Sequence, residues 1–241
     1  MKNSPSIFHF KNFDVINHKS AMKVNTDGVL LGALVTICPG DRSFLDVGTG
    51  TGTIAMMVAQ RSEDGQVDAI DIDVPSIEEA AVNFENSEWK DRLHAHHASL
   101  DEFSLASESQ YDVIVSNPPY FEDSLGAPQE RRNNARHTAT GLSYREIIDF
   151  AAKRLTPCGR LALVLPSETE PGLTRHARMN GLHLQKITRV RTVPRKSPKR
   201  IVAEFARERC PEPVDTILTI QNEGQYTQEY LSLMKDFYLF A

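Results

Sequence analysis

Ser116-Asn117-Pro118-Pro119-Tyr120 brings together an amide, a carbonyl with no N–H beside it and a flat aromatic face. The Asn117 amide both donates and accepts. Pro118 contributes a carbonyl and no donor. Pro119 keeps residue 118 out of the helical region, so that carbonyl is not absorbed into a helix ladder. Tyr120 offers a π surface. Together these groups suit a planar ring carrying an exocyclic NH2, with two acceptors for the amino protons and a face for stacking. Asn-Pro and Pro-Pro also mark ordinary turns, so position has to decide between the two readings. The motif closes the apolar run Tyr111-Asp112-Val113-Ile114-Val115, which reads as a buried parallel strand. It also follows a glycine-rich strand–loop–helix, where a sheet of this kind opens its crevice.

That earlier unit is Asp46-Val47-Gly48-Thr49-Gly50-Thr51-Gly52, with a strand ending at Val47 and a helix starting near Ile54. Glycines let the backbone approach a ligand closely, and helix N-terminal amides favour negative charge. No Gly-Lys-Ser/Thr follows, so this is not a phosphate-cradling loop. Gly50, Gly52 and Ala55 fit the relaxed dinucleotide fingerprint only weakly. A second strand spans 66–73. Asp71 at its end is placed to accept ribose hydroxyl protons, and Asp73 to cap a helix over 76–84.

The remaining elements must position these groups. Residues 7–15 alternate as a short hairpin. Thr26 or Asp27 is the expected N-cap of a helix through Val35. This stretch is read as core packing or as a lid with Lys23 and Asp27 near its polar end. His94, His96 and His97 fall on a third strand, 93–98. Alternation puts the first two on one face and His97 on the other, and no acid or cysteine completes a ligand set, so no metal is expected. Residues 121–141, with Arg131, Arg132, Arg136 and His137, form a long polar stretch read as a substrate-binding loop. Ser143 and Glu146 form a capping box for a helix to Arg154. A strand at 160–165, a helix at 168–179 and β segments at 183–193 and 201–205 follow. Lys186, Arg189, Arg191, Arg195, Lys196, Lys199 and Arg200 have no acid among them. A solvated face is the plain reading. In an acidic chain the run points to phosphate-backbone contact. The terminal Phe237-Tyr238-Leu239-Phe240 is expected to dock onto the core.

The chain has 241 residues, 40% apolar and 24% charged, with a net charge of −5. That length suits one large α/β unit, and the charge argues against indiscriminate nucleic-acid binding. The expected organisation is one unit over 1–241: a cap over the ligand site (1–40), a core (41–210) and a docked extension (211–241). There is no apolar run of membrane-spanning length and no signal-peptide pattern. Cys38, Cys158 and Cys210 are scattered, which predicts no disulfide framework and a cytoplasmic setting.

The order of glycine loop, acidic strand end and Asn-Pro-Pro-Tyr resembles the class I methyltransferases that modify amino groups. The likeness extends through Met22-Lys23-Val24-x-Thr26-Asp27-Gly28-x-Leu30-Leu31-Gly32, Asn117-Pro118-Pro119-Tyr120-Phe121 and Ala135-Arg136-His137-Thr138. It continues through Leu163-Val164-Leu165-Pro166, the basic segment 189–204 and Asp236-Phe237-Tyr238-Leu239. Over nearly its full length the chain resembles the bacterial family that N6-methylates adenine 37 in valine tRNA. The resemblance implies a Rossmann-like α/β fold: a seven-stranded, mostly parallel sheet with an antiparallel last strand and helices on both faces. It implies S-adenosyl-L-methionine as cofactor, tRNA as partner and no metal. Candidate cofactor residues are Lys23, Thr26, Asp46, Gly48, Gly50, Gly52, Asp71 and Asp101. Asn117, Pro118 and Tyr120 would be catalytic. Pro119, Arg136, His137, Arg195, Lys196, Lys199 and Arg200 would meet the substrate. Ser99 stands where the resemblance implies an acid facing the cofactor's adenine. The Asn-Pro-Pro-Tyr corner alone leaves guanine N2 in ribosomal RNA, DNA adenine and protein glutamine open. A non-catalytic RNA-binding module and a dehydrogenase are alternatives from other classes.

Overall fold

Apolar runs punctuated by glycine turns and polar caps produce a βα repeat in the computed structural model, which describes residues 6–20, 22–119 and 142–241. β1 (Ile7–His9) and β2 (Asp14–Ile16) form the expected antiparallel hairpin, with Ile7 opposite Ile16. The repeat then runs α1 (Thr26–Leu34), β3 (Ser43–Val47), α2 (Thr53–Arg61), β4 (Gln66–Asp71) and α3 (Val74–Glu85). It continues with β5 (Leu93–His97), α4 (Leu100–Ala106) and β6 (Tyr111–Ser116). After the Asn-Pro-Pro corner come α5 (Tyr144–Arg154), β7 (Leu155–Pro166), α6 (Glu170–Met179), β8 (His183–Arg191) and β9 (Arg200–Ala206). The chain closes with β10 (Val214–Thr219), the hairpin β11 (Gln221–Asn222) and β12 (Gln225–Tyr226), and α7 (Gln228–Met234).

The main sheet has the order β10-β8-β9-β7-β6-β3-β4-β5. Its pairings are parallel except for β9, which runs antiparallel to both β7 and β8. This is the expected sheet with one strand more. The eighth strand, β10, pairs with β8 from Val214–Lys186 to Thr219–Arg191. Its first four residues are exposed and two of them are polar, as suits an edge strand with a single neighbour, so its pattern reads as a tail.

Helices cover both faces. α1, α2, α3 and α7 bury Leu30, Met56, Phe84 and Met234 against one side. α4, α5 and α6 bury Phe103, Ile147 and Leu173 against the other. The C-terminal aromatics divide: Phe237 and Tyr238 are buried, the latter stacked on Phe10, while Leu239 and Phe240 remain exposed. Among the described residues no helix is long and apolar enough to cross a membrane.

Two local expectations shift. The cap of α1 is Asn25, one residue before Thr26, with extended backbone and a side-chain oxygen accepting the Gly28 N–H at 2.9 Å. Three cap-type residues stand in a row, and only the backbone trajectory selects among them. β7 begins at Leu155 rather than 160. Its pairing with β6 jumps from Tyr111–Leu155 to Val113–Arg160, and this bulge carries Pro157 past the ladder.

β3 lies between β4 and β6. The chain therefore winds outward to β5 and returns to pair on the other side of β3. The crevice of such a sheet opens at that reversal, beyond the strand ends.

Candidate active site

β3 and β6 run parallel with Val47 beside Ser116, and the Ser116 hydroxyl donates to the Val47 carbonyl at 2.6 Å. The next residues are Gly48 on one strand and Asn117 on the other. The glycine turn and the Asn-Pro-Pro corner thus leave the sheet side by side. The turn and Asn117 line one cleft together with Met22, Lys23, Asn25, Gly28 and Ile54, and the two prolines lie outside that lining.

The turn needs its glycines. Gly48, Gly50 and Gly52 have φ of 72°, 57° and 81°, which side chains strongly disfavour. A Cβ on Gly52 would also meet the Phe84 ring at 2.4 Å. The Gly48 and Thr49 amides donate to the Ile70 carbonyl, the Gly50 amide to Asp71, and the Gly52 amide to the Thr49 carbonyl. Those four donors serve the fold and are not free for a ligand carboxylate.

Asp71 closes β4 and braces the turn with both oxygens, accepting from Gly50 N at 2.8 Å and Asp73 N at 2.9 Å. Burial pushes its carboxyl up from the ordinary range, against these hydrogen bonds. Asp73 is the cap of α3, as its position implied. Asp46 is completely buried beneath the turn. One oxygen accepts from the Thr49 hydroxyl (2.7 Å) and the Ala55 amide (3.2 Å), while the other has no partner among the described residues. Burial raises its pKa to about 7. Asp46 and Gly52 therefore shape the turn from behind and do not line the cleft.

Lys23 lines the cleft, its ammonium bonded to the carbonyls of His18 and Ser20. Thr26 is exposed on the first turn of α1 and lies outside the lining, as does Asp101 on the first turn of α4. Ser99 is the cap of α4, in a reciprocal capping box with Glu102, which accounts for a hydroxyl where an acid was expected. The three histidines are engaged separately, His94 with Gln66, His96 with Asp68 and His97 with the Ile72 carbonyl.

Asn117 is 7% exposed, and Pro118 is buried beside it. The Asn117 NH2 faces the Asn25 oxygen at 3.4 Å and the Met22 sulfur at 3.8 Å. The Asn25 oxygen also accepts a backbone N–H, which identifies it as oxygen. The group of Asn117 facing it must be the NH2, so the Asn117 oxygen occupies the other arm of the amide. Residue type alone gave no signal for Asn25 in the site. Tyr120, Arg136 and His137 lie outside the described residues.

The basic run is smaller than its sequence implied. Lys186 pairs with Glu204, Arg189 with Glu170 and Asp215, and Arg200 with Asp27 at 2.8 Å. Arg191 bonds Thr219 and the Pro194 carbonyl. Arg195, Lys196 and Lys199 stay exposed on the β8–β9 connection. That connection leaves the C-terminal end of β8, the edge that carries the cleft.

The methyltransferase small domain family matches residues 24–174. The tRNA1(Val) (adenine(37)-N6)-methyltransferase of Flavobacterium johnsoniae is 42% identical over 97% of this chain and 99% of its own. Its counterpart in Parabacteroides distasonis is 43% identical over 96% and 97%. The chain belongs to the tRNA1(Val) adenine-37 N6-methyltransferase family. The fold of this family member is also that of a predicted O-methyltransferase from Agrobacterium tumefaciens (TM-score 0.67, 18% identity, 88% and 96% covered). The T. thermophilus 16S rRNA N2 G1207 methyltransferase, solved with AdoMet and guanosine, is similar at TM-score 0.57 and 21% identity, covering 85% and 50%.

Proposed function

We propose that the chain transfers the methyl group of S-adenosyl-L-methionine to the exocyclic N6 amine of adenine 37 in tRNA(Val). One observation carries this: the glycine turn and Asn117 leave adjacent parallel strands and line one cleft, with Pro118 next along the chain, in a chain related end to end to enzymes of that name.

The cleft fits the amino-acid end of the donor. Gly48 and Gly50, both at positive φ, allow the donor to approach the backbone closely. Asp71, at the outer end of β4, is proposed for the ribose. Asp101, on the first turn of α4, is proposed for the donor's adenine. Lys23 lines the same seat, with Asp46 and Gly52 supporting it from behind and Thr26 standing outside it.

The bound donor supplies a methyl group already activated by its sulfonium, so the protein's work is alignment. An adenine amine is a poor nucleophile because its lone pair is delocalised into the ring. Hydrogen bonds from its two N–H groups to the Asn117 oxygen and the Pro118 carbonyl would localise that pair toward the methyl, and water would take the proton released after transfer. The Asn117 NH2 is directed at Asn25, and this holds the amide the right way round. Neither acceptor titrates, so the step calls for no shifted acid or base. Tyr120 is proposed to stack on the base, a contact worth about 1–3 kcal/mol. Pro119 would border the same slot. An anticodon-loop adenine can be splayed out for such capture.

Arg195, Lys196 and Lys199, with Arg136 and His137, are proposed to meet RNA phosphates, and Arg200 to set the start of that surface through Asp27. Residues 1–40 would act as cap, 41–210 as catalytic core and 211–241 as docked extension. A tRNA substrate supports a cytoplasmic setting. The test is incubation with labelled donor and total RNA, followed by digestion to nucleosides. Label is expected in N6-methyladenosine of tRNA(Val); label in N2-methylguanosine, or only in protein, overturns the proposal.

A further inference from the structure

Residues 16–20 and 22–25 form a strap across the glycine turn. Met22, Lys23 and Asn25 wall the cleft opposite Gly48 and Gly50. The strap packs at backbone distance. A Cβ on Gly50 would lie 3.6 Å from the Ser20 hydroxyl and 3.8 Å from the Met22 carbonyl. Beyond β2 the strap has little regular structure of its own to hold it.

α3 holds it instead. Glu79 is only 4% exposed, and its carboxylate accepts three backbone N–H groups: His18 and Lys19 at 2.7 Å, Ser20 at 2.9 Å. Hydrogen bonds to an ionised acceptor are the strong kind. Asn83, on the same helix face and 1% exposed, accepts from Ile16 N at 2.8 Å. Its NH2 donates both to the Ile16 carbonyl (3.0 Å) and to the Thr51 carbonyl of the glycine turn (2.9 Å). One amide therefore ties strap and turn together. Ser76, also on this face, gives its proton to Asp73 at 2.6 Å and can accept from the Ser20 hydroxyl, which lies 2.9 Å away.

We infer that Glu79 and Asn83 are positioning residues for the methyl donor: they clasp the strap over the glycine turn, and so couple strap order to donor affinity. This rests on the cleft being the donor's seat. Only the clasped chain presents both walls. A looser clasp lowers the competent fraction and weakens apparent affinity in proportion. Asn25 is anchored separately by the Gly28 amide. The acceptor geometry at Asn117 therefore survives once donor is bound.

The experiment compares Glu79→Gln and Glu79→Ala with the wild type, using S-adenosyl-L-methionine calorimetry, steady-state kinetics and amide hydrogen exchange. Glu79→Ala should weaken donor binding by about tenfold, with Glu79→Gln between it and the wild type. At saturating donor kcat should stay within about twofold, a split that a general loss of structure would not give. Amides 18–20 should exchange faster in both variants. Unchanged donor affinity, or a fall in kcat in its place, overturns the inference. In the wild type, added donor should slow exchange at 18–20 and at 48–52. Protection of the turn without the strap overturns the clasp; protection of neither overturns the cleft as donor seat. Should Glu79→Ala fail to fold, Glu79→Gln and Asn83→Ala, which removes the other half of the clasp, decide the matter, and wild-type affinity in both overturns it.

Discussion

Asn117 contributes through what it accepts, so truncation should separate chemistry from binding. Asn117→Ala is expected to lower kcat by about a hundredfold or more, the scale seen when a fixed polar group is removed from a reacting centre. Donor affinity measured by calorimetry should be nearly unchanged. Asp46 makes a prediction about pH. Its carboxyl titrates near pH 7 in the fold against 3.8 unfolded, because burial disfavours the charge. The folded chain thus holds this proton longer than the unfolded chain, and the group's effect on stability becomes less favourable as pH rises from about 4 to about 7. Thermal unfolding should show Asp46→Asn gaining on the wild type across that window and levelling off above it. Asp46 could be marked from sequence as the acid ahead of the glycines. Its burial, and hence its support of the turn from behind, required the helix that covers it.

At the scale of elements, the β8–β9 connection and the strands it joins separate two kinds of cation. Arg195, Lys196 and Lys199 are exposed on the connection. Neutralising all three together should reduce the slope of log affinity against log salt by about two for a single-stranded RNA; an unchanged slope would assign them to solvent. Arg189 belongs to the other kind. It bonds Glu170 of α6 and Asp215 of β10 and so holds the eighth strand to the sheet. Arg189→Ala should cost about 1 kcal/mol in urea unfolding, because it leaves the partly buried Glu170 carboxylate unpaired while water takes up the exposed Asp215. RNA affinity should hardly change. Along the chain these cations look alike, since the acids that neutralise some of them arrive from distant elements.

For the whole molecule, a ligand that binds only the folded state stabilises it by mass action. S-adenosyl-L-methionine at a hundred times its Kd should add about 2.7 kcal/mol, read as a rise in Tm. A nicotinamide dinucleotide should give no such rise. Motif order and strand rhythm were enough to read an α/β sheet with the turn and the corner at its open edge. Glycine φ preferences, caps and apolar runs act over a few residues, so the code for them is local.

Contacts between distant residues left no such trace. Val47 lies beside Ser116 because the sheet reverses direction at β3. Asp27 offsets Arg200, and Glu79 reaches across to the backbone of residues 18–20. β10 joins the sheet through one neighbour and a half-polar pattern. Each depends on packing that brings separate stretches within hydrogen-bond range, which no window of sequence contains. Which groups could do the chemistry was therefore legible in the chain; which of them share a cleft, and what holds that cleft in shape, was decided by the fold.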